Sequence, residues 1–371
     1  MNTTDCCPKC LLPATYPGIR IENGSCNFCK SFVKPEIDYL GEEQLKKDVE
    51  EILAQYPDRN PDYDVAVGFS GGMDSTWLLW YATQKLNLRA VAFTMRHKYM
   101  PAHTMDNIKN VAKLLGVDVI FFDNPYLKEN AEHFVKTWAA HPTAAGLIGF
   151  CSGCRYGLSE ILYQELAKHK IHILFSGFNQ YEDTNYRVDS VMLNPNKPSK
   201  MGLVLGYGKE IATNPRYLTA PGRLAFQFKE FAGDKKFAKV RGLENRDLPI
   251  DERSYLGVTE LYPFYNYINW NKKEALSVLK ELGWQKGPDA NQAWRSDCEL
   301  GLIRQYYYRR ILGFNDQEVK RAHMLRNKQI TLDDPGTIEE TDVEVIRRIL
   351  KESFDLDFNE IEERIKRINK E

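Results

Sequence analysis

The sequence predicts an α/β fold: a mainly parallel, doubly wound sheet, preceded by a small cysteine-bearing segment and followed by a helical C-terminal region. Three observations predict it. From Tyr63 onward, short apolar runs alternate with segments of helical spacing over short connections, the pattern of a parallel sheet covered on both faces. The chain has 371 residues, too many for one minimal domain, and 43% of them are hydrophobic, enough for a sizeable core. The first of the strands runs directly into a glycine pair and a helix. In such sheets ligands bind beyond the carboxyl ends of the strands.

Residues 1–35 are turn-rich and too short to bury a core of their own, so they need a staple. Residues 36–60 read as a helical linker. Leu45, Val49, Ile52 and Leu53 form one apolar stripe over 41–56, and Pro57 to Pro61 break the chain after it. Residues 61–250 hold the sheet domain. Strands are expected at Asp64–Phe69, Leu88–Thr94, Val117–Phe122 and Ile171–Phe175, with helices at Asp74–Leu86, Asp106–Leu115 and Tyr156–Lys168. The periodicity weakens after residue 185. Residues 251–335 form the helical C-terminal region, with helices at 272–283 and 299–313, and residues 336–371 read as a charged, solvated helical tail. No internal repeat or low-complexity tract is present.

Fifty basic side chains against 51 acidic ones give a net charge of −1, which argues against broad non-specific nucleic-acid binding. Lys229, Lys235, Lys236, Lys239 and Arg241 form a basic run that reads either as a solvated face or as a phosphate contact. The first residues are polar, without the pattern of a signal peptide, and no apolar run reaches the roughly 18 residues of a membrane span. A cytoplasmic protein without membrane association is the expectation. The seven histidines are scattered and read as structural.

The strand ending at Phe69 leads into Ser70-Gly71-Gly72-Met73-Asp74-Ser75 at a helix start. Two glycines let backbone N–H groups approach a phosphate closely, and the new helix points its positive end at the same anion. Ser70 and Ser75 add hydroxyl donors. Asp74 either holds Mg²⁺ or caps the helix. A Walker A loop needs a Lys-Ser/Thr pair after its last glycine, and a dinucleotide fingerprint needs Gly-x-Gly-x-x-Gly; both are absent. The alternative is a plain strand-to-helix turn.

Cys7-Pro-Lys-Cys10 and Cys26-Asn-Phe-Cys29 are two knuckles whose spacing suits a closed tetrahedral zinc site, structural in role. Redox pairs or free thiols are the alternatives, and Cys6 is a spare that could replace Cys7. Zinc would supply the folding energy this short segment lacks.

The hexapeptide resembles the signature of the pyrophosphate-loop ATP pyrophosphatases, which include GMP synthetase, asparagine synthetase and tRNA thiolases. The resemblance implies an adenine-nucleotide α-hydrolase-like fold, ATP and Mg²⁺ as cofactors, and cleavage between the α- and β-phosphates, with Asp74 and Ser75 taking part in the chemistry. A substrate oxygen becomes adenylated, pyrophosphate leaves, and a nucleophile then displaces AMP. Cofactor contacts fall to Ser70, Gly71, Gly72, Met73, Asp74, Ser75, Phe93, Gly177, Asn179 and Asp183. Within that group, the stretch Cys7 to Ile19, Gly24 to Cys29, the loop and Asn107 to Val117 resemble bacterial N-acetyl sugar amidotransferases of surface-polysaccharide (lipopolysaccharide, O-antigen) biosynthesis. Arg321-Ala-His323 and Gln329-Ile-Thr331 do so more weakly. That likeness implies a sugar or nucleotide-sugar substrate whose acetamido group becomes acetamidino, with ammonia from a separate glutaminase subunit.

Cys151-Ser-Gly-Cys154, Arg295-Ser-Asp-Cys298 and Ser176 to Asp183 are similar instead to pieces of tRNA thiolases. There a central cysteine pair and one distant cysteine hold an iron–sulfur cluster, which implies catalytic roles for Cys151 and Cys154, a second site with Cys298, and sulfur transfer to tRNA or a small metabolite as the alternative function. Incidental packing cysteines or a redox pair remain open for the same residues, as does an unliganded polar loop for Asn179 to Asp183. The expectation that can be tested by position is that Cys151, Cys154 and Cys298 meet above the phosphate loop.

Overall fold

The computed structural model describes residues 5–34, 36–150, 158–180, 200–219, 253–285, 298–333 and 342–368. The chain opens with a two-residue hairpin, β1 (Ile21–Glu22) and β2 (Ser25–Cys26), and a single turn of helix, α1 (Asn27–Lys30). Helix α2 (Glu42–Ala54) buries Leu45, Val49 and Ile52, the stripe its spacing predicts. The sheet and its cover then alternate: β3 (Val65–Gly68), α3 (Met73–Trp80), β4 (Ala90–Arg96), α4 (Ala102–Leu115), β5 (Val119–Asp123), α5 (Leu127–Ala140), α6 (Leu158–Lys168) and β6 (Ile173–Phe175). A further helix, α7 (Lys200–Thr213), precedes a hairpin, β7 (Ser254–Tyr255) and β8 (Val258–Leu261). The C-terminal part is helical: α8 (Lys272–Glu281), α9 (Glu299–Leu312), α10 (Asp316–Arg326), α11 (Val343–Phe354) and α12 (Phe358–Ile368).

The main sheet has the order β5-β4-β3-β6-β8-β7, parallel throughout except for the antiparallel β7–β8 pair. The first strand of the sheet, β3, is therefore central. The chain winds outward through β4 and β5, then returns to the other side of β3 through β6. Strand order reverses between β3 and β6, which opens a crevice at their carboxyl ends. Val65, Ala66 and Val67 are buried on both faces of β3, as an interior parallel strand requires.

Several elements differ from the sequence expectation. Helix α3 continues through a π-helical turn (Tyr81–Lys85), so the expected helix to Leu86 is present in two geometries. Strands β4, β5 and β6 start about two residues late, because β3 fixes the register from Val65↔Ala90 onward. Helix α5 and the β7–β8 hairpin were not expected. The hairpin turns on Leu256 and Gly257, at φ of 52° and 74°, the left-handed pair that a two-residue connection needs.

The solvated tail is the main correction. Ile346, Ile349, Leu350 and Phe354 of α11, with Phe358, Ile361 and Ile365 of α12, are buried in one apolar cluster with α5, α9 and the N-terminal cysteines. Their spacing of three and four residues carries an apolar stripe beneath the charged faces. Each such side chain stabilises the fold by about 1.5–3 kcal/mol when fully buried. The N-terminal segment is docked on the same helices. Gly313 at the end of α9 has φ of 77°, and a Cβ there would come 2.8 Å from Thr15 Cγ2. Thr15 Oγ1 donates to its carbonyl at 3.0 Å, and Tyr16 packs edge-on against Phe314 at 5.1 Å.

Candidate active site and four-thiol centre

The phosphate loop sits where the strand order reverses. Gly71 has φ of 75°, and a Cβ on it would fall 2.8 Å from Ile108 Cγ1 and 3.0 Å from the Thr104 carbonyl, so only glycine fits against α4. The loop closes on itself through its hydroxyls. Ser75 Oγ accepts from Ser70 N–H, lies 3.2 Å from Ser70 Oγ and donates to the Gly72 carbonyl. Ser70 Oγ in turn accepts from Gly72 N–H at 3.3 Å. Thr76 donates to the Gly72 carbonyl at 2.7 Å, which ties the first turn of α3 to the loop. The base of the loop is pinned to β4: Phe69 N–H donates to the Phe93 carbonyl at 2.8 Å, and Thr94 Oγ1 to the Phe69 carbonyl at 2.7 Å.

Two side chains from far along the chain complete the loop. Trp270 Nε1 donates to Asp74 Oδ1 at 2.8 Å, and Trp284 Nε1 donates to the Gly71 carbonyl at 2.8 Å. Trp284 is held through its neighbour. Gln285 N–H donates to Asn107 Oδ1 at 2.9 Å, and Asn107 Nδ2 returns a bond to the Gln285 carbonyl at 2.7 Å. From β6 comes Gly177, whose missing side chain lets it approach: a Cβ there would lie 3.5 Å from the Asp74 carbonyl carbon and the Ser75 nitrogen. Next to it, Ser176 donates to the buried Glu260 of β8, and Tyr163 does so at 2.9 Å.

Above the loop is a cavity of about 410 Å³. Its floor is Gly68 to Ser70 and Gly72 to Ser75. One wall, from β4, β5 and α6, is apolar: Phe93, Met95, Phe122, Leu158 and Leu162. The opposite wall is the start of α9, with Cys298, Leu300, Gly301 and Arg304, together with His97, Met100 and Phe150. Arg304 is 1% exposed in its side chain and pairs with Asp316 at 3.1 Å. The cavity thus joins a floor of glycines and hydroxyl side chains, a wall of aromatic and aliphatic side chains, and a far end that carries Cys298, His97 and the buried Arg304.

Of the residues the sequence singled out, Ser70, Gly72, Met73, Asp74, Ser75, Phe93, Gly177 and Cys298 line this cavity, and Gly71 turns the loop behind it against α4. Asn179 is buried just beyond it. Cys151, Cys154, Asp183 and the basic run lie outside the described residues, so the structure places only the third member of the proposed cysteine trio. His97 lines the cavity, although the histidines read as structural. Trp270, Trp284 and Arg304 were missed. Nothing in their spacing marks them, because each meets the loop or cavity only through the fold.

The second centre is the N-terminal one. The sulfurs of Cys7, Cys10, Cys26 and Cys29 all lie within 4.8 Å of one another, with Cys7–Cys29 at 3.9 Å and Cys10–Cys26 at 3.8 Å. A tetrahedron with metal–sulfur bonds of about 2.3 Å has edges of about 3.8 Å, so the set fits one metal ion. Backbone and arginine donors point at the sulfurs: Cys26 N–H to Cys7 at 3.3 Å, Cys29 N–H to Cys26 at 3.4 Å, and Arg326 Nη1 to Cys10 at 3.4 Å. Burial raises the thiols of Cys10 and Cys29. Burial also opposes ionisation of Cys7, but backbone N–H groups of Cys10, Lys9 and Cys26 outweigh it and lower that thiol. Cys6 stands outside the set, and burial raises its thiol too.

No protein-family model matches the chain. An 84-residue stretch, 23% of the chain, is 33% identical to an uncharacterized protein of Methanocaldococcus jannaschii, and the match spans 30% of that relative's length. Among solved structures the chain is similar to the U34-tRNA thiolase NcsA from Methanococcus maripaludis, solved with its 4Fe-4S cluster: 17% identity, 85% of this chain and 90% of that one, TM-score 0.33. It is similar to NMN synthetase from Francisella tularensis at 14% identity, over 82% of this chain and 100% of that one, TM-score 0.34. A third likeness is to the NH3-dependent NAD synthetase of Campylobacter jejuni, with 15% identity over 66% of this chain and 97% of that one, and a TM-score of 0.28. These likenesses are partial, and the chemistry is read from this chain's own residues. Among the described residues, no helix is long and apolar enough to cross a membrane.

Proposed function

We propose that the chain is an ATP pyrophosphatase-type amidotransferase that activates the acetamido group of an N-acetyl sugar. The observation that carries the ATP chemistry is the loop Ser70 to Ser75 at the reversal of strand order, opening into a cavity with room for a second reactant. The loop N–H groups and the start of α3 receive the phosphates. Asp74, Ser70 and Ser75 offer only oxygen donors, the set a hard cation prefers, and would hold Mg²⁺, which neutralises charge on the departing pyrophosphate. The acceptor's amide oxygen, placed at the α9 end of the cavity, attacks the α-phosphorus as the α–β bridge bond breaks. Ammonia then adds to the activated carbon, AMP leaves with the oxygen, and the acetamidino group remains. The sugar and a separate ammonia-supplying glutaminase subunit are proposed from the sequence resemblance.

Zinc is the metal proposed for the four thiols, in a structural role. The set is closed: all four donors are cysteine, and no position is left for a reactant.

A second reading is sulfur transfer, to tRNA or a small metabolite. One observation favours it: Cys298 lines the cavity with the phosphate loop. With Cys151 and Cys154 it would form an open metal or iron–sulfur site. Metal and acid-labile sulfide analysis of anaerobically purified protein separates the readings. Zinc alone, about one per chain, supports ammonia; iron with sulfide beyond the zinc supports sulfur.

A further inference from the structure

We infer that Trp270 is a positioning residue: its indole N–H fixes the Asp74 carboxylate for the divalent cation that accompanies ATP. The inference rests on the proposed ATP chemistry and extends it to a residue 196 positions away in sequence. Asp74 lies in the first turn of α3, which has no side-chain cap of its own at Gly72. An aspartate in that position can turn toward the free N–H groups of its helix, as N-terminal carboxylates commonly do. The 2.8 Å bond from Trp270 to Oδ1 holds it in one orientation instead.

The donor is itself immobile. Trp270 is 1% exposed. Its ring meets Trp77 edge-on at 6.3 Å, and Trp77 stacks on Phe264 at 4.3 Å and 16°. Trp77 follows Asp74 by three residues on α3, so carboxylate and ring belong to one face of one helix. The same face is packed by Phe264, from the turn after β8, and by Trp270 itself. Donor and acceptor are therefore locked to each other by the core. Partners of this kind, one bond removed from a metal, orient the ligand and set its affinity. Trp284 acts on the neighbouring group, the Gly71 carbonyl, and so fixes loop backbone without touching the carboxylate. The two indoles divide the work: one serves the cation, the other the phosphate cradle.

The test is ATP binding, measured by calorimetry across a Mg²⁺ series, on the wild-type chain, Trp270→Phe and Trp284→Phe. Trp270→Phe keeps an aromatic ring and removes the donor. The Mg²⁺ concentration for half-maximal ATP binding rises by about 10–100-fold, while affinity at saturating Mg²⁺ stays close to wild type. Trp284→Phe weakens binding at every Mg²⁺ concentration and leaves the Mg²⁺ midpoint in place. Benzothienylalanine at 270 preserves the bicyclic shape and lacks only the N–H, so it serves if Trp270→Phe does not fold; it shifts the midpoint in the same way. An unmoved midpoint in a folded variant, with a lowered melting temperature as the only change, overturns the inference and makes Trp270 a packing residue. Wild-type protein that shows no Mg²⁺-dependent ATP binding overturns the proposed function itself, and the inference with it.

Discussion

The molecule holds two clusters of chemically capable side chains, and they are built on opposite plans. The four-thiol centre is closed: among the described residues its donors meet one another, backbone N–H groups and Arg326, and it is set in the apolar cluster shared with α5, α9, α11 and α12. The phosphate loop is open: its backbone and hydroxyls line a cavity of about 410 Å³ that reaches to Cys298 and Arg304. A closed set of ligands can only hold a metal and, through it, the chain around it. An open one has room for reactants. Under the proposed function, the first serves stability and the second chemistry. Helix α9 connects them, since Gly313 at one end receives Thr15 and Cys298 at the other faces the cavity.

The largest expected effect breaks the closed centre. Cys26→Ser removes a buried ligand, so metal analysis is expected to fall from about one zinc per chain to none. Thermal unfolding drops by about 10 °C or more, since the metal supplies folding energy to a segment with little core of its own. ATP affinity in the protein that remains folded is expected to stay close to wild type. If the metal survives, the ligand set is wrong. If ATP binding is lost at once, the two sites are not separable as described.

Next comes Asp74→Ala, the counterpart at the open site. Pyrophosphate release falls by about a hundredfold or more, because a positioned carboxylate and its cation are lost from the departing phosphates. Zinc content is expected to be unchanged and the protein to stay folded, with a modestly lowered melting temperature because Trp270 Nε1 loses its acceptor. An unaltered rate would remove the loop from the mechanism.

A smaller effect follows from Ser75→Ala. Ser75 Oγ ties Ser70 N–H to the Gly72 carbonyl, so its loss loosens the loop without removing a charge. ATP binding weakens by about tenfold, in line with the net contribution of one or two hydrogen bonds. The smallest expected effect is at Cys298. If ammonia is the nucleophile, Cys298→Ser keeps most of the turnover. Complete loss of product with ATP binding intact would instead favour sulfur transfer.

The two sites also differ in how readily the sequence discloses them. Both knuckles and the loop are contiguous: Cys-x-x-Cys, and strand, glycine pair, helix. Their geometry is settled within a few residues, and local physics reads them. The lid on the loop is assembled otherwise. Trp270 and Trp284 reach Asp74 and Gly71 across 196 and 213 residues, and only the winding of the sheet brings them there. No periodicity encodes such a contact. The C-terminal helices show a second limit. In α11 and α12 taken together charged residues are about as numerous as apolar ones, and a composition reading takes them for solvent. The phase of Ile346, Ile349, Leu350, Ile361 and Ile365 carries the buried stripe, and phase, not composition, is what the core selects. The β7–β8 hairpin was illegible for a third reason: a two-residue strand has too few positions to show alternation.

The reaction proposed for the open site is cleavage of ATP between its α- and β-phosphates. The direct measurement is the fate of α-labelled ATP incubated with the protein, Mg²⁺, ammonia and a panel of N-acetyl sugars and their nucleotide conjugates. The expected result is labelled AMP with an equal amount of pyrophosphate, dependent on the acceptor and absent in Asp74→Ala. Labelled ADP with inorganic phosphate would contradict it.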